Sequence, residues 1–168
     1  MKKKILSKGA DYTYMLPVFR EVILKSGIKE QGALIFAGCQ GPCYSMATLL
    51  SFGIRDLNLN LYFAVEADVQ QLWRLEYIKN LGMVATRKEN PIKAEGIMIM
   101  SGLIRVPFEN ILKFIRDALG DGGIIIGETV EPGLFEEKGW DKQIPFNYLF
   151  EFSMEHPTSF EVEGNQKF

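Results

Sequence analysis

The stretch FAGCQGPCYSM, from Phe36 to Met46, sets two thiols four positions apart, Cys39 and Cys43, in a turn that also holds Gly38, Gln40, Gly41 and Pro42. Three chemistries use such residues. Structural zinc needs four nitrogen or sulfur ligands. This pair supplies two, and the rest of the chain adds only His156, far along and next to a proline. No metal site is expected on that ligand count. A reactive thiol is the second possibility, because Cys43 falls in what reads as the first turn of a helix, where the dipole lowers a thiol pKa. The third is a ligand cradle. Gly38 and Gly41 permit positive φ and close approach of backbone to a ligand. The unpaired first amides of the following helix then face an anion or a polar ligand edge. A plainer reading stands beside these: the glycines only make a turn, and the cysteines behave as small buried hydrophobes.

Positioning such a turn requires a strand before it and a helix after it, and the apolar pattern supplies both. Ala33 to Gly38 is a short continuous apolar run, as in a strand buried on both faces. Pro42 reads as the first helical residue, with Met46, Leu49, Leu50, Gly53 and Ile54 on one face. Upstream, Met15, Val18, Phe19, Val22 and Ile23 follow helical spacing and Gly27 closes that helix. Downstream, residues 59–68 form a second strand. Asp68 then caps a helix predicted from Val69, Leu72, Leu75 and Ile78, widened by Trp73, Tyr77 and Leu81 and ended by Gly82. Residues 83–86 give a short third strand, residues 87–95 a polar loop, and residues 96–102 a fourth strand. Pro107 opens a helix with Phe108, Ile111, Leu112, Ile115 and Leu119 on one side, which residues 120–123 stop before a fifth strand over 124–128.

This alternation implies a parallel sheet with helices on both faces. The tail differs. Phe150, Phe152 and Met154 alternate with polar residues, and a second alternating run begins at Phe160, which predicts an antiparallel hairpin. The fold expected is a single three-layer α/β/α Rossmann-like domain over residues 1–168, mostly parallel, with a C-terminal antiparallel hairpin.

In an open parallel sheet, ligands bind outside the carboxyl ends of the strands. The loops gathered there are residues 38–44, 66–68, 101–106 and 128–133. Glu66 closes the second strand, where a carboxylate can accept hydrogen bonds from both hydroxyls of a ribose. It stands 28 positions after Gly38, against about 20 in a dinucleotide fold, and a solvated strand end is the alternative. Ser101 begins the loop after the fourth strand. Arg105 in the same loop reads as a partner for an acidic ligand group or as a solvated side chain. Trp73 and Trp140 read as packing residues.

Composition narrows the partners. The net charge is −2 and the pI near 5.5, without the concentrated basic face of nucleic-acid-binding domains. Lys2, Lys3 and Lys4 read as a solvated terminus. Residues 31–54 carry no charge, but Gly38, Gln40, Gly41 and Pro42 interrupt any continuous membrane helix. No apolar signal core follows the opening lysines. The expectation is a cytoplasmic protein with reduced thiols and no membrane or nucleic-acid partner.

With these residues placed, two resemblances apply. LIFAGCQG, AVEAD and the run from Ile97 to Glu128 resemble Rossmann-like S-adenosylmethionine-dependent methyltransferases. Three positions depart from that pattern: Phe36 stands for the acidic residue two before the first glycine, Gln40 for the second glycine and Pro42 for the third. The resemblance implies S-adenosylmethionine as cofactor and Glu66 as its ribose acceptor. The chain also resembles a small family of uncharacterised proteins from methanogenic archaea, with a glycine-rich, cysteine-containing turn after the first strand and an Arg-Asp pair, Arg55 and Asp56, after the helix. Together these give a nucleoside-type ligand held by Gly38, Cys39, Gln40, Gly41, Cys43, Glu66 and Ser101. The alternative is a non-catalytic module acting through protein partners or homodimerisation.

Overall fold

The computed structural model describes residues 1–153, 158–162 and 164. It shows a mixed α/β fold built on one nine-stranded sheet, in the order β1-β9-β8-β7-β6-β2-β3-β4-β5. The strands are β1 (Lys3–Lys8), β2 (Ala33–Gly38), β3 (Asn60–Val65), β4 (Leu72–Ile78), β5 (Gly82–Glu89), β6 (Ala94–Met100), β7 (Leu119–Thr129), β8 (Tyr148–Glu151) and β9 (Thr158–Val162). The helices are α1 (Met15–Ser26), α2 (Pro42–Gly53), α3 (Phe108–Ala118) and the single turn α4 (Leu134–Glu137). The five central strands, β3-β2-β6-β7-β8, pair in parallel, while β4, β5, β9 and β1 extend the two edges in antiparallel.

β2 alternates between two apolar clusters. Leu34 and Phe36 pack with Val18, Phe19 and Val22 of α1 and with Cys43, Ala47 and Leu50 of α2. Ile35 and Ala37 join the other cluster, with Ile111 and Phe114 of α3 and with Phe135, Trp140 and Phe146. A strand covered on both faces has no polar parity to show, which is why β2 reads as an unbroken apolar run. Helices α1 and α2 begin and end where their sequence signals lie. Gly27 caps α1 in the left-handed region at φ 78°, and Pro42 is the first residue of α2.

Four expectations are corrected. Residues 69–81 do not form a helix. A 3₁₀ turn over Val69–Gln71 leads into β4, which forms an antiparallel hairpin with β5. Leu72 and Leu75 fall in opposite core clusters. A strand buried on both sides can hide residues of either parity, so spacing by three imitates a helical stripe. Aromatic Trp73 and Tyr77 suit the strand. The chain reverses at Asn80, φ 67°, and Gly82, φ 97°, so Gly82 turns a hairpin and does not end a helix. Part of the expected polar loop is strand as well, since β5 runs to Glu89 and β6 begins at Ala94.

Residues 120–123 do not separate α3 from the next strand, because β7 already starts at Leu119. Nor are the opening lysines only a solvated terminus. Lys3 lies in β1, which pairs with β9, and its ammonium bonds Glu136 and, at 2.7 Å, the buried Glu151. The ion pair fixes the edge strand to the sheet. The expected C-terminal hairpin is present as β8 and β9, and His156 lies outside the described residues. No helix of the described residues is long and apolar enough to cross a membrane.

Candidate functional site

β2 pairs on one side with β3, Gly38 opposite Val65, and on the other with β6, Ala37 opposite Ile99. Strand order reverses at this point, and the chain leaving all three strands meets above their carboxyl ends. Cys39 follows β2, Glu66 follows β3, and a 3₁₀ turn, Ser101–Arg105, follows β6. The sequence pattern brings these segments together, and the structure does the same.

The contact between the first and third segments is close. A side chain at Gly102 would place its Cβ 2.3 Å from the Cys43 sulfur and 2.7 Å from that of Cys39. A Cβ at Gly38 would come within 2.4 Å of Cys43 Cβ and 3.1 Å of the Met100 sulfur. Neither Gly38 nor Gly41 has positive φ. Gly38 is absent from the left-handed residues, and Gly41 caps α2 at φ −91°. Gly38 is required for packing density. Gly41 faces open space, and a Cβ there would meet nothing within 4 Å.

Left-handed geometry falls instead on Glu66 and Ala67, at φ 53° and 55°. They are the central residues of a turn closed by the Asp68 amide donating to the Val65 carbonyl at 3.0 Å. Two consecutive non-glycine residues in this region carry on the order of 1–2 kcal/mol of strain each. The Glu66 amide donates to the Gly38 carbonyl at 2.8 Å, which ties this turn to the end of β2.

Two cavities open around the junction. One, of about 570 Å³, is lined by residues including Cys39, Glu66, Asp68, Gly102, Arg105 and Asn110. The second, of about 320 Å³, is more apolar, with Cys43, Met46, Met100, Ser101, Leu134 and Glu128 in its wall. Cys39, Gly102 and Arg105 belong to both. In the larger cavity, Lys113 is paired with Asp117 at 2.7 Å, and Asp68 accepts from the Gln70 amide at 2.8 Å. The side chains of Glu66 and Arg105 have no ion pair or hydrogen bond among the described residues. Gln40 lies to one side, in an adjoining open hollow of about 580 Å³ with Val65 and Trp73, which Glu66 and Asp68 also border.

The two thiols are free, and their sulfurs are 3.1 Å apart. Their environments differ. Burial alone would push the Cys39 thiol up. Hydrogen bonds to its sulfur from the Cys43 thiol and from the Cys43, Gly41 and Cys39 amides outweigh that and hold it below the ordinary thiol range. Burial pushes the Cys43 thiol up to about 12, with its bond to Cys39 and the charges of Cys39 and Glu128 adding to the effect. This reverses the expectation that Cys43 is the activated thiol. The Cys43 amide in the first turn of α2 and the Gly41 and Cys39 amides before it converge on the Cys39 sulfur, and Cys39 is the thiol they stabilise.

The sequence places Glu128 at the end of the fifth strand and the start of the loop that follows, and gives it no role. It is the tenth residue of β7 and 2% exposed. Burial pushes its pKa up to about 7, partly offset by a hydrogen bond from the Ser101 backbone. An acidic residue closing an apolar strand was the available signal, the same signal that singles out Glu66. Ser101 thus contributes through its main chain. Among the described residues, no group of three or more His, Cys, Asp or Glu side chains is placed to hold a metal ion.

A mixed α/β chain with a cysteine-bearing turn at the carboxyl edge of its parallel strands is the class this geometry defines. The chain belongs to the family described as "Uncharacterized protein conserved in archaea (DUF2124)", whose model matches residues 12–155. It is similar to uncharacterized protein MJ1183 of Methanocaldococcus jannaschii, 29% identical over 90% of this chain and 91% of the relative. It is also similar to an uncharacterized protein of Methanothermobacter thermautotrophicus, 29% identical over 79% of this chain and 82% of the relative. The resemblance to uncharacterised methanogen proteins is thereby established. A crystal structure of a protein of unknown function from Methanothermobacter thermautotrophicus has the same fold, with a TM-score of 0.77 at 22% identity, covering 91% of this chain and 94% of that one.

The two turn glycines have separable roles. Gly38→Ala is expected to lower stability by about 1–3 kcal/mol through overpacking, and Gly41→Ala to stay within about 0.5 kcal/mol of the parent, both read from urea unfolding midpoints. Glu128 predicts a pH dependence. Between about 4.5 and 7 its native form holds a proton that the unfolded chain has released. Stability therefore falls as pH rises through that window and levels off above it, by on the order of 3 kcal/mol. Unfolding of the parent and of Glu128→Gln across this range checks it, with the variant lacking that part of the slope.

Proposed function

We propose that the larger cavity binds a nucleoside-type small molecule, and that the fold is a three-layer Rossmann-like arrangement serving that site. The observation that carries the reading is the uncommitted Glu66 carboxylate at the rim of a cavity of about 570 Å³, a volume within the usual range of about 300–1,000 Å³ for ligand pockets. Glu66 accepts the two ribose hydroxyls, and the Arg105 guanidinium meets an anionic or carbonyl group of the ligand. Gly38 and Gly102 let the strand ends close up beneath the ligand, while Cys39 forms the cavity floor. S-adenosylmethionine is the specific candidate within this class. Methyl transfer asks mainly for alignment of the reacting atoms.

Titration calorimetry with adenosine, S-adenosylmethionine and S-adenosylhomocysteine tests the reading. Saturable binding by at least one is expected, weakened about tenfold or more by Glu66→Asn, which removes the carboxylate but tolerates the left-handed turn. Absence of heat with all three overturns it.

A second reading, homodimerisation, is favoured by apolar side chains exposed at the β4–β5 edge and on α2: Phe52, Tyr77, Ile78 and Leu81. The rings of Phe52 and Tyr77 lie 6.1 Å apart. Light scattering is expected to show a dimer that Tyr77→Lys with Leu81→Lys dissociates. A parent protein that stays monomeric at high concentration removes this reading.

A further inference from the structure

The second cavity holds three groups to which the nucleoside reading gives no chemical step: a part-exposed thiol, a buried thiol in hydrogen-bond contact with it, and a buried carboxyl group. We propose that Cys39 and Cys43 are a redox-active dithiol that reduces a small-molecule disulfide, with Glu128 taking the proton of Cys43.

Geometry carries this. The sulfurs are 3.1 Å apart, and Gly38 and Gly102 leave no room for any other side chain between the thiols and the strand ends. Closing them to a disulfide length of about 2.05 Å needs only a small movement. Cys39 is part-exposed and lies where both cavities meet, whereas Cys43 is buried and borders only the second. The thiol a substrate can reach is therefore distinct from the thiol that resolves the intermediate. Glu128 borders the same cavity and has no basic ion-pair partner among the described residues. An uncompensated buried carboxyl group in an apolar wall is costly to keep without a purpose. Met46, Met100, Ile104 and Leu134 give the wall a soft, apolar lining suited to a sulfur compound. The cavity, of about 320 Å³, is sized for a small molecule.

Electrons and protons balance as follows. The Cys39 thiolate attacks one sulfur of the substrate disulfide. A Cys39–substrate disulfide forms, the substrate S–S bond breaks, and the first product leaves as a thiolate that takes a proton from water. Cys43 passes its proton to the Glu128 carboxylate and attacks the Cys39 sulfur. The Cys39–Cys43 disulfide forms and the second product thiolate leaves. The substrate disulfide has gained two electrons and the protein dithiol has lost two. Two equivalents of a small thiol reverse the sequence and restore the dithiol.

The depressed pKa of Cys39 and the raised pKa of Cys43 give the attacking thiol its charge and keep the resolving thiol protonated until Glu128 can accept. The charged groups facing the pair are Glu66 and Asp68 from the turn after β3, Arg105 from the turn after β6, and Glu128 and Glu131 from the end of β7. Of these, Glu128 is the buried one. The proposal stands on the second cavity, so it survives if the larger cavity proves to bind no nucleoside.

The test uses the reduced full-length protein and 2-hydroxyethyl disulfide, with alkylation quenching and mass spectrometry. The parent is expected to pass through one adduct and finish as an adduct-free intramolecular disulfide. Cys43→Ser is expected to stop at a stable adduct on Cys39, and Cys39→Ser to form none on the same time scale. Glu128→Gln is expected to form the adduct at the parental rate but resolve it about tenfold or more slowly near neutral pH. A parent protein whose adduct persists, or whose Cys39 reacts no faster than a free cysteine in a peptide, overturns the proposal. These two outcomes need no variant to fold. Parental resolution in Glu128→Gln removes Glu128 from the scheme.

Discussion

The structure depends on β2 being paired in parallel on both sides. It pairs with β3 along Ala33–Gly38 and with β6 from Leu34 to Ala37, and in an interior this dry an unmade hydrogen bond is costly. Register is consequently fixed, and so are the points where three chains leave the sheet. Cys39, Glu66 and Ser101 emerge side by side because Gly38, Val65 and Met100 end adjacent strands. The antiparallel edges leave this arrangement alone. They lengthen the sheet outward on both sides, and the turn of Glu66 and Ala67 that begins one of them bends the chain back from the junction without covering it.

The junction then brings acidic groups of unequal exposure together. Two thiols at hydrogen-bond distance cannot both ionise readily, and a carboxyl group in the same wall adds a third competitor for the same negative charge. Position decides between them. The Cys39, Gly41 and Cys43 amides bond the Cys39 sulfur, so of the two thiols it is the one whose pKa is lowered. Cys43, one helical turn on and buried, keeps its proton, and Glu128 holds its own until near neutrality. The two thiols are set by packing that begins with a missing Cβ: Gly38 admits Cys43 beneath the strand end, and Gly102 admits both sulfurs.

Much of this was legible in the sequence, and the rest was hidden for identifiable reasons. β2 and α2 were readable because apolar run, glycine and proline agreed locally. So were α1 with its Gly27 cap and the C-terminal hairpin. The β4–β5 hairpin was not, because Leu72 and Leu75 are buried on opposite faces while Tyr77 and Ile78 are exposed, so no alternation marks the strand and Leu72, Leu75 and Ile78 stand three apart. β1 was missed because a lysine-rich edge strand resembles a solvated terminus until Glu136 and Glu151 are seen against Lys3. At the junction, the positions of Glu66 and Ser101 were legible from strand ends. The reversed roles of the two cysteines were not, because spacing places Cys43 in the helix but does not show that the Cys39, Gly41 and Cys43 amides turn to the Cys39 sulfur.

The shared wall also constrains what the two cavities can do together. Cys39, Gly102 and Arg105 border both, so a molecule filling the larger cavity lies against the exposed face of the Cys39 sulfur. It would remove water from a thiol whose ionised form the Cys39, Gly41 and Cys43 amides favour, and desolvation raises a thiol pKa. Occupancy and thiol reactivity therefore oppose each other for any ligand that lacks a cation near Cys39. They reinforce each other for one that brings positive charge to it. A ligand's charge beside Cys39 thus decides the sign of the coupling. Arg105, without an ion pair among the described residues and present in both walls, is the fixed positive group against which that charge is weighed.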